Sequence, residues 1–300
     1  MTQAWREQRE RSNDPSLRFL VWLALGLGRP TGRFLLYPVC LYFLLLSVKG
    51  RAASRQYLRK VLDRPPRFSE LFRHYYSFAT VALDRMFLLR NRFSQFDVHV
   101  HGRDILEEAT ARGEPCFLLG AHFGSFEALH VFGEEQNMRV TMMMFEQGSR
   151  NMNALARAIS PGLDRSVVGM GTLDSMMKVQ ERLDRGEWVG MLGDRRLYES
   201  AVVCVPFLGE TAALPTAPFR IAALIGRPVV LMVALYRGGN RYDLHFERLI
   251  EMPKLERNKR DAMIREWAAR YARRLEHYCR LAPYNWFNFY DFWADEKALP

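Results

Sequence analysis

The sequence predicts an α/β fold: a mostly parallel central sheet flanked by helices, behind an N-terminal hydrophobic helical anchor. Three observations carry this. Apolar runs of strand length at residues 116–119, 139–145, 188–192 and 228–235 alternate with segments whose apolar residues recur at steps of three and four. Such interleaving builds parallel sheets covered by helices on both faces. Of the 300 residues, 49% are hydrophobic and 25% charged, which excludes a disordered chain and leaves ample material for a core.

The chain opens with two apolar stretches, residues 17–28 with one charge (Arg18) and residues 34–48 with none. Arg29-Pro30-Thr31-Gly32-Arg33 between them reads as a turn with two cations. Neither stretch reaches the roughly 20 apolar residues of an upright span. Arg6, Arg9, Arg11 and Arg18 flank one side, and Lys49, Arg51, Arg55, Arg59 and Lys60 the other. A single span concentrates its cations on one face, so symmetric flanks favour an interfacial or shallow re-entrant hairpin with cations at lipid headgroups. Trp22, Tyr37 and Tyr42 carry rings suited to that depth. One short span by the second stretch, and a buried hairpin of a soluble protein, are the alternatives. The simplest organisation is an anchor over residues 1–50 and one catalytic domain over residues 51–300.

Residues 51–96 are helical in pattern, broken at Pro65-Pro66, with Leu71, Tyr75, Phe78, Ala79, Ala82 and Met86 forming one apolar stripe. Residues 96–100 alternate as a strand. His99 and His101 alternate like metal ligands, but no third ligand lies near in sequence, so they read as edge-strand or turn histidines. Beyond the run at 116–119, helices are expected at 126–132, 153–159, 173–183 and 219–225, with a short strand at 166–168. A Pro-rich loop is expected between residues 192 and 219, and an edge strand at 242–246. Met263, Ile264, Trp267, Tyr271, Leu275 and Tyr278 stripe a basic C-terminal helix.

Lys and Arg number 43 against 33 Asp and Glu, a net charge of +10 that suits an anionic membrane surface, nucleic acid or phosphorylated substrate. Zinc-finger, helix-turn-helix and RNA-binding signatures are missing, which argues against nucleic acid. Cys40, Cys116, Cys204 and Cys279 form no close pair and read as ordinary buried thiols of a reducing compartment. Nothing in the sequence suggests a metal or a bound redox cofactor.

The most informative segment is Gly120-Ala121-His122-Phe123-Gly124-Ser125-Phe126-Glu127. A buried strand ends, two glycines allow a tight turn, and a helix starts, so His122 falls at the carboxyl edge of a parallel sheet, where ligands of such folds collect. Glu127, in the first helical turns, can fold back to orient the imidazole for removing a hydroxyl proton. The backbone N–H groups of this turn are candidate oxyanion donors.

This H-x4-E turn, with GEWVGMLGDRR, VPFLG, LPTAPFRIAALIGRPVV and an aromatic segment after Pro283, resembles the late lipid A acyltransferase family over most of the chain. The resemblance implies a glycerolipid acyltransferase-like fold and a catalytic pair, His122 and Glu127. It implies an arginine that binds substrate, Arg165 first and Arg150 second, an acidic position near the site at Asp194, and phosphate contacts at Arg195 and Arg196. Gly120 joins the expected substrate-binding set. The implied donor is an acyl carrier protein or coenzyme A thioester, with no resident cofactor, and the acceptor a lipid or glycolipid at the cytoplasmic face of the bacterial inner membrane. Acyl carrier protein is acidic and its arm carries a phosphate, so Arg150, Arg165 and Arg195 would help to dock it. Met142, Met143, Met144, Met176 and Met177 are candidates for an adaptable acyl tunnel, or simply for core.

The family's C-terminal segment carries a Trp followed by basic residues, where this chain has Asn285-Trp286-Phe287-Asn288-Phe289-Tyr290-Asp291-Phe292-Trp293. That departure points to a divergent branch whose acceptor differs from lipid A. A serine hydrolase built on Ser125 is the rival enzyme, but residues 123–127 read Phe-Gly-Ser-Phe-Glu, which misplaces both glycines of a nucleophile elbow. The other rival is a non-catalytic basic membrane-binding protein.

Overall fold

The computed structural model describes residues 26–128, 139–144, 167–169, 173–195, 201–251 and 258–293. The apolar residues 17–25, the helix expected at 153–159, Arg150, Arg165 and Arg196 lie outside them. Helices α1 (Arg29–Leu46), α2 (Val48–Val61) and α3 (Phe68–Leu88) precede strand β1 (Asp97–His101). Then come α4 (Arg103–Ala111), β2 (Phe117–Gly120), β3 (Val140–Met144), β4 (Val167–Gly169), α5 (Leu173–Asp184) and β5 (Trp188–Leu192). The chain continues through β6 (Val202–Phe207), β7 (Glu210–Pro215), α6 (Ala217–Ile225), β8 (Val229–Gly238), β9 (Arg241–Ile250) and α7 (Arg260–Leu281).

The main sheet runs β1-β9-β8-β2-β5-β3-β4, and every neighbouring pair is parallel except β8 with β9. All four residues of β2 are buried, as a continuous apolar run in the middle of a parallel sheet requires. The strand expected at the edge, residues 242–246, is the second strand instead. β1 pairs parallel with β9 from Asp97↔Arg241 to His101↔His245 and takes the edge. Tyr242, Leu244 and Phe246 need that cover, since all three are buried.

The loop expected between residues 192 and 219 contains a β-hairpin. β6 and β7 pair antiparallel from Val202↔Pro215 to Phe207↔Glu210, and Leu208 and Gly209 close the turn at φ 51° and 80°. Two positive φ values are the turn geometry that matches strand twist. Val203, Val205 and Phe207 face the core while Cys204 and Pro206 face outward. A two-stranded ribbon has only edges, so Pro206 is tolerated there. Cys204 is therefore exposed, unlike the buried Cys40, Cys116 and Cys279.

The basic Arg29–Arg33 segment is the first turn of α1 rather than a lipid-facing turn. Pro30 fits because N–H groups at a helix start have no intrahelical partner. Arg29 donates two 2.6 Å bonds to Asp84 of α3, which is 0% exposed and also accepts from Tyr242 Oη at 2.7 Å. A buried carboxylate needs such partners, and it draws the arginines inward. Cys40 and Leu44 of α1, with Tyr57, Leu58 and Val61 of α2, share one core with β2, β5 and β8. The buried face of α3 includes His74, Ser77, Thr80 and Asp84 beside Leu71, Tyr75 and Met86, whereas Phe78 turns outward against Phe287 and Phe289. On α7 the expected stripe is buried from Ile264 to Tyr278.

Candidate active site

Strands β2 and β5 are neighbours in parallel register, Gly120 opposite Leu192. Residues two positions beyond each strand end therefore meet, and those residues are His122 and Asp194. Gly193 N bonds to Gly120 O at 2.9 Å and locks the two exits together. His122 Nδ1 lies 2.7 Å from Asp194 Oδ1, and the His122 backbone N–H donates to Oδ2 at 2.9 Å. Trp286 Nε1 donates to the same Oδ2 at 2.9 Å.

Asp194 is 2% exposed. Burial pushes its pKa up, but His122, Arg195 and the Trp286 N–H outweigh that and bring it down to about 2. The carboxylate is thus an acceptor only, so Nδ1 of His122 carries the hydrogen. No described residue takes up the lone pair of Nε2, on a side chain that is 30% exposed. Burial, then the charge of Arg195, lower the His122 pKa below the ordinary 6.5, against the opposite pull of Asp194. The ring is therefore neutral and basic at neutral pH.

A test follows from that sign. If neutral His122 is the active form, activity is full above the ordinary histidine range and is lost only as pH falls through the lowered value. The acid limb of kcat/KM is expected below pH 6.5. A limb at or above that value, in a titration of transfer rate against pH, contradicts the assignment.

Glu127 does not reach the imidazole. Its Oε1 forms an ion pair with Arg85 of α3 at 2.7 Å, and its Oε2 accepts from Ser125 Oγ at 3.4 Å. A short 3-10 turn, Phe126–Ala128, begins after Ser125 and presents Glu127 to α3. Asp194, expected in the substrate-binding set, accepts from the His122 ring, the His122 backbone and the Trp286 indole. At Gly120 a Cβ would stand 3.1 Å from Leu192 and 3.2 Å from the Met232 carbonyl, and the Gly120 carbonyl accepts from Tyr271 Oη.

The turn closes through Gly124, at φ 58°, where a Cβ would lie 1.5 Å from the Ala234 carbonyl oxygen. No other residue fits that approach. Three of the N–H groups expected to serve an oxyanion are engaged: those of His122 by Asp194, Phe123 by Ala121 O at 2.6 Å and Gly124 by Asn285 O at 2.9 Å. Arg195 is the cation the described residues place beside His122, and it is held by a 3.0 Å bond to Phe287 O. Ser125 is 0% exposed, and among the described residues its hydroxyl bonds Glu127 and no histidine, an arrangement that does not favour a nucleophile. Met143 is buried in the core and Met177 is 60% exposed.

Sequence reasoning missed the role of the C-terminal aromatic segment. It is a strap across the turn that follows β2: Phe123 bridges Trp286, Phe287 N donates to His122 O at 2.8 Å, and Asn285 brackets Tyr236 of β8. It also missed that register would bring Asp243 and His245 beside His101, with donor atoms all within 4.8 Å. Arg237 and Arg241 each bond Asp243, at 2.7 and 3.0 Å, so its charge is already answered without a metal ion.

A mostly parallel sheet that presents a carboxylate-held, neutral imidazole at its carboxyl edge is equipped for general-base group transfer. The family described as bacterial lipid A biosynthesis acyltransferase matches residues 74–294, and the chain belongs to it. It is accordingly an acyltransferase of a family that acts on lipids and is generally membrane-associated. A comparison with curated proteins gives no match.

Proposed function

We propose that the protein moves a fatty acyl chain from a carrier-protein or coenzyme A thioester to a hydroxyl or amine of a lipid or glycolipid. The observation that carries this reading is the 2.7 Å His122–Asp194 contact at a sheet edge, in a chain of this family. His122 Nε2 takes the proton of the acceptor O–H or N–H while the acceptor atom attacks the thioester carbonyl. As the tetrahedral centre collapses, the C–S bond breaks and the imidazolium returns the proton to the leaving sulfur. Arg195 stabilises the oxyanion from beside the ring. Glu127 keeps a place as the partner of Arg85 on the helical side of the turn, where the pair is partly open to a substrate. No resident metal or redox cofactor enters this reading.

The membrane face in this reading is α1 with α2. Phe34, Tyr37, Tyr42, Leu45 and Leu46 of α1 are exposed, as are Arg55 and Arg59 of α2. Among the described residues no single helix is long and apolar enough to cross a bilayer, and α1 meets α2 at a 95° bend. Taken together the bent pair is long and apolar enough for a broken span or a re-entrant loop. In this reading it lies in the interface, apolar side chains among the acyl tails and cations at the headgroups, on the cytoplasmic face of the bacterial inner membrane.

The test supplies acyl-loaded carrier protein and acyl-coenzyme A separately, with total bacterial lipid extract, and reads products by mass spectrometry. A lipid heavier by one acyl chain, formed only with enzyme, supports transfer and names donor and acceptor. Release of free fatty acid without any acylated lipid would overturn the reading in favour of a hydrolase.

A further inference from the structure

Asp194 orients His122, and a second set of buried groups orients Asp194. The carboxylate accepts one N–H from the side chain of His122, one from its backbone and one from the Trp286 indole. The Trp286 carbonyl accepts in turn from His74 Nε2 at 2.9 Å, and His74 Nδ1 pairs with Ser54 Oγ at 2.8 Å. A carbonyl can only accept, so Nε2 of His74 carries the hydrogen and Nδ1 accepts from the Ser54 hydroxyl. Burial keeps that ring neutral, its pKa down at about 4. Ser54, His74 and Trp286 are all 0% exposed. The directed chain crosses the fold, from α2 through α3 and the C-terminal strap to the turn after β2.

We propose that Ser54, His74 and Trp286 are positioning residues, and that this chain of hydrogen bonds sets the orientation of Asp194 and, through it, the tautomer and basicity of His122. The proposal rests on the reading of His122 as the general base. Packing alone does not require it. Trp286 sits in an aromatic nest, with Tyr57, Phe207 and Phe292 at centroid distances of 5.0, 5.3 and 4.9 Å, which would accept a phenylalanine. The indole N–H adds a donor aimed at a buried charge. His74 fixes the peptide that follows Trp286, and the next residue, Phe287, holds both the His122 carbonyl and Arg195.

The chemistry gives a direction. A carboxylate shared by three donors holds each less tightly than one shared by two. Without the indole donor, Asp194 draws harder on the Nδ1–H of His122, which makes the imidazole more basic. The other charged or titratable groups facing the pair among the described residues are Arg195, Tyr271 and Cys279, and Trp286→Phe leaves all three in place.

The experiment titrates His122 by NMR in the full-length protein and measures the pH profile of transfer, for wild type, Trp286→Phe, His74→Phe, His74→Gln and Phe292→Leu. Trp286→Phe is expected to raise the His122 midpoint by about one pH unit, a roughly ten-fold change in proton affinity. The acid limb should move with it, while kcat falls about ten-fold or more and KM changes little. His74→Phe should act in the same direction, and His74→Gln, whose amide still donates to the Trp286 carbonyl, should restore the wild-type limb. Phe292→Leu loosens the same aromatic nest without removing any hydrogen bond of the chain and should leave midpoint and limb unmoved. A Trp286→Phe protein with the wild-type midpoint and limb, and no larger loss than Phe292→Leu, overturns the proposal, and it does so even where His74→Phe fails to fold. The NMR midpoint needs no turnover, so a shifted midpoint together with a fully active His122→Ala would sink the general-base reading and leave the positioning chain standing.

Discussion

Replacing His122 with alanine is expected to lower kcat for acyl transfer by about two to four orders of magnitude, the range that positioned general bases supply. The side chain is 30% exposed, so its truncation opens little cavity. The structural cost falls instead on Asp194, a buried carboxylate that loses one of its three N–H donors. His122→Asn separates the two effects. Its amide N–H can replace Nδ1–H as donor to Asp194, which restores the buried bond while offering no basic lone pair where Nε2 stood. The asparagine variant should therefore melt close to wild type and still be inactive. Steady-state transfer beside thermal unfolding checks both, and an asparagine variant within a few fold of wild-type rate would place the base elsewhere.

Much of the frame was legible in the sequence because periodicity reports burial directly. The run at residues 116–119 and the stripe from Ile264 to Tyr278 bury as their patterns demand. The hairpin β6–β7 was written in the alternation of Val203, Val205 and Phe207, but Pro206 and Pro215 suggested a loop, and only a ribbon with two edges reconciles both signals. Longer-range facts were not legible. Glu127 is nearest to His122 in sequence and pairs with Arg85, while Asp194, 72 positions away, is delivered by the β2–β5 register. His74 and Asp84 lie on the core face of α3, where an apolar-stripe reading passes over them. Their partners, Trp286 and Arg29, come from opposite ends of the chain, and no local pattern announces such pairings.

Asp194→Asn is expected to cost nearly as much activity as loss of the imidazole, about two to three orders of magnitude in kcat, with a modest effect on the fold. The reason is the fixed polarity of the site. Oδ2 accepts from two N–H groups that cannot turn round, the His122 amide and the Trp286 indole. An asparagine must place its carbonyl oxygen there, since an NH2 would face two donors. Its NH2 then occupies the Oδ1 position, 2.7 Å from Nδ1 of His122. A donor at that point requires Nδ1 to be the acceptor, so the ring's hydrogen moves to Nε2 and the lone pair facing the substrate is lost. The negative charge that raises the basicity of His122 disappears as well, so the residual activity should show an acid limb lower than that of wild type. Nitrogen chemical shifts of His122 distinguish the two tautomers directly. A variant that retains Nδ1–H and near wild-type kcat would show that Asp194 holds the turn without directing the proton.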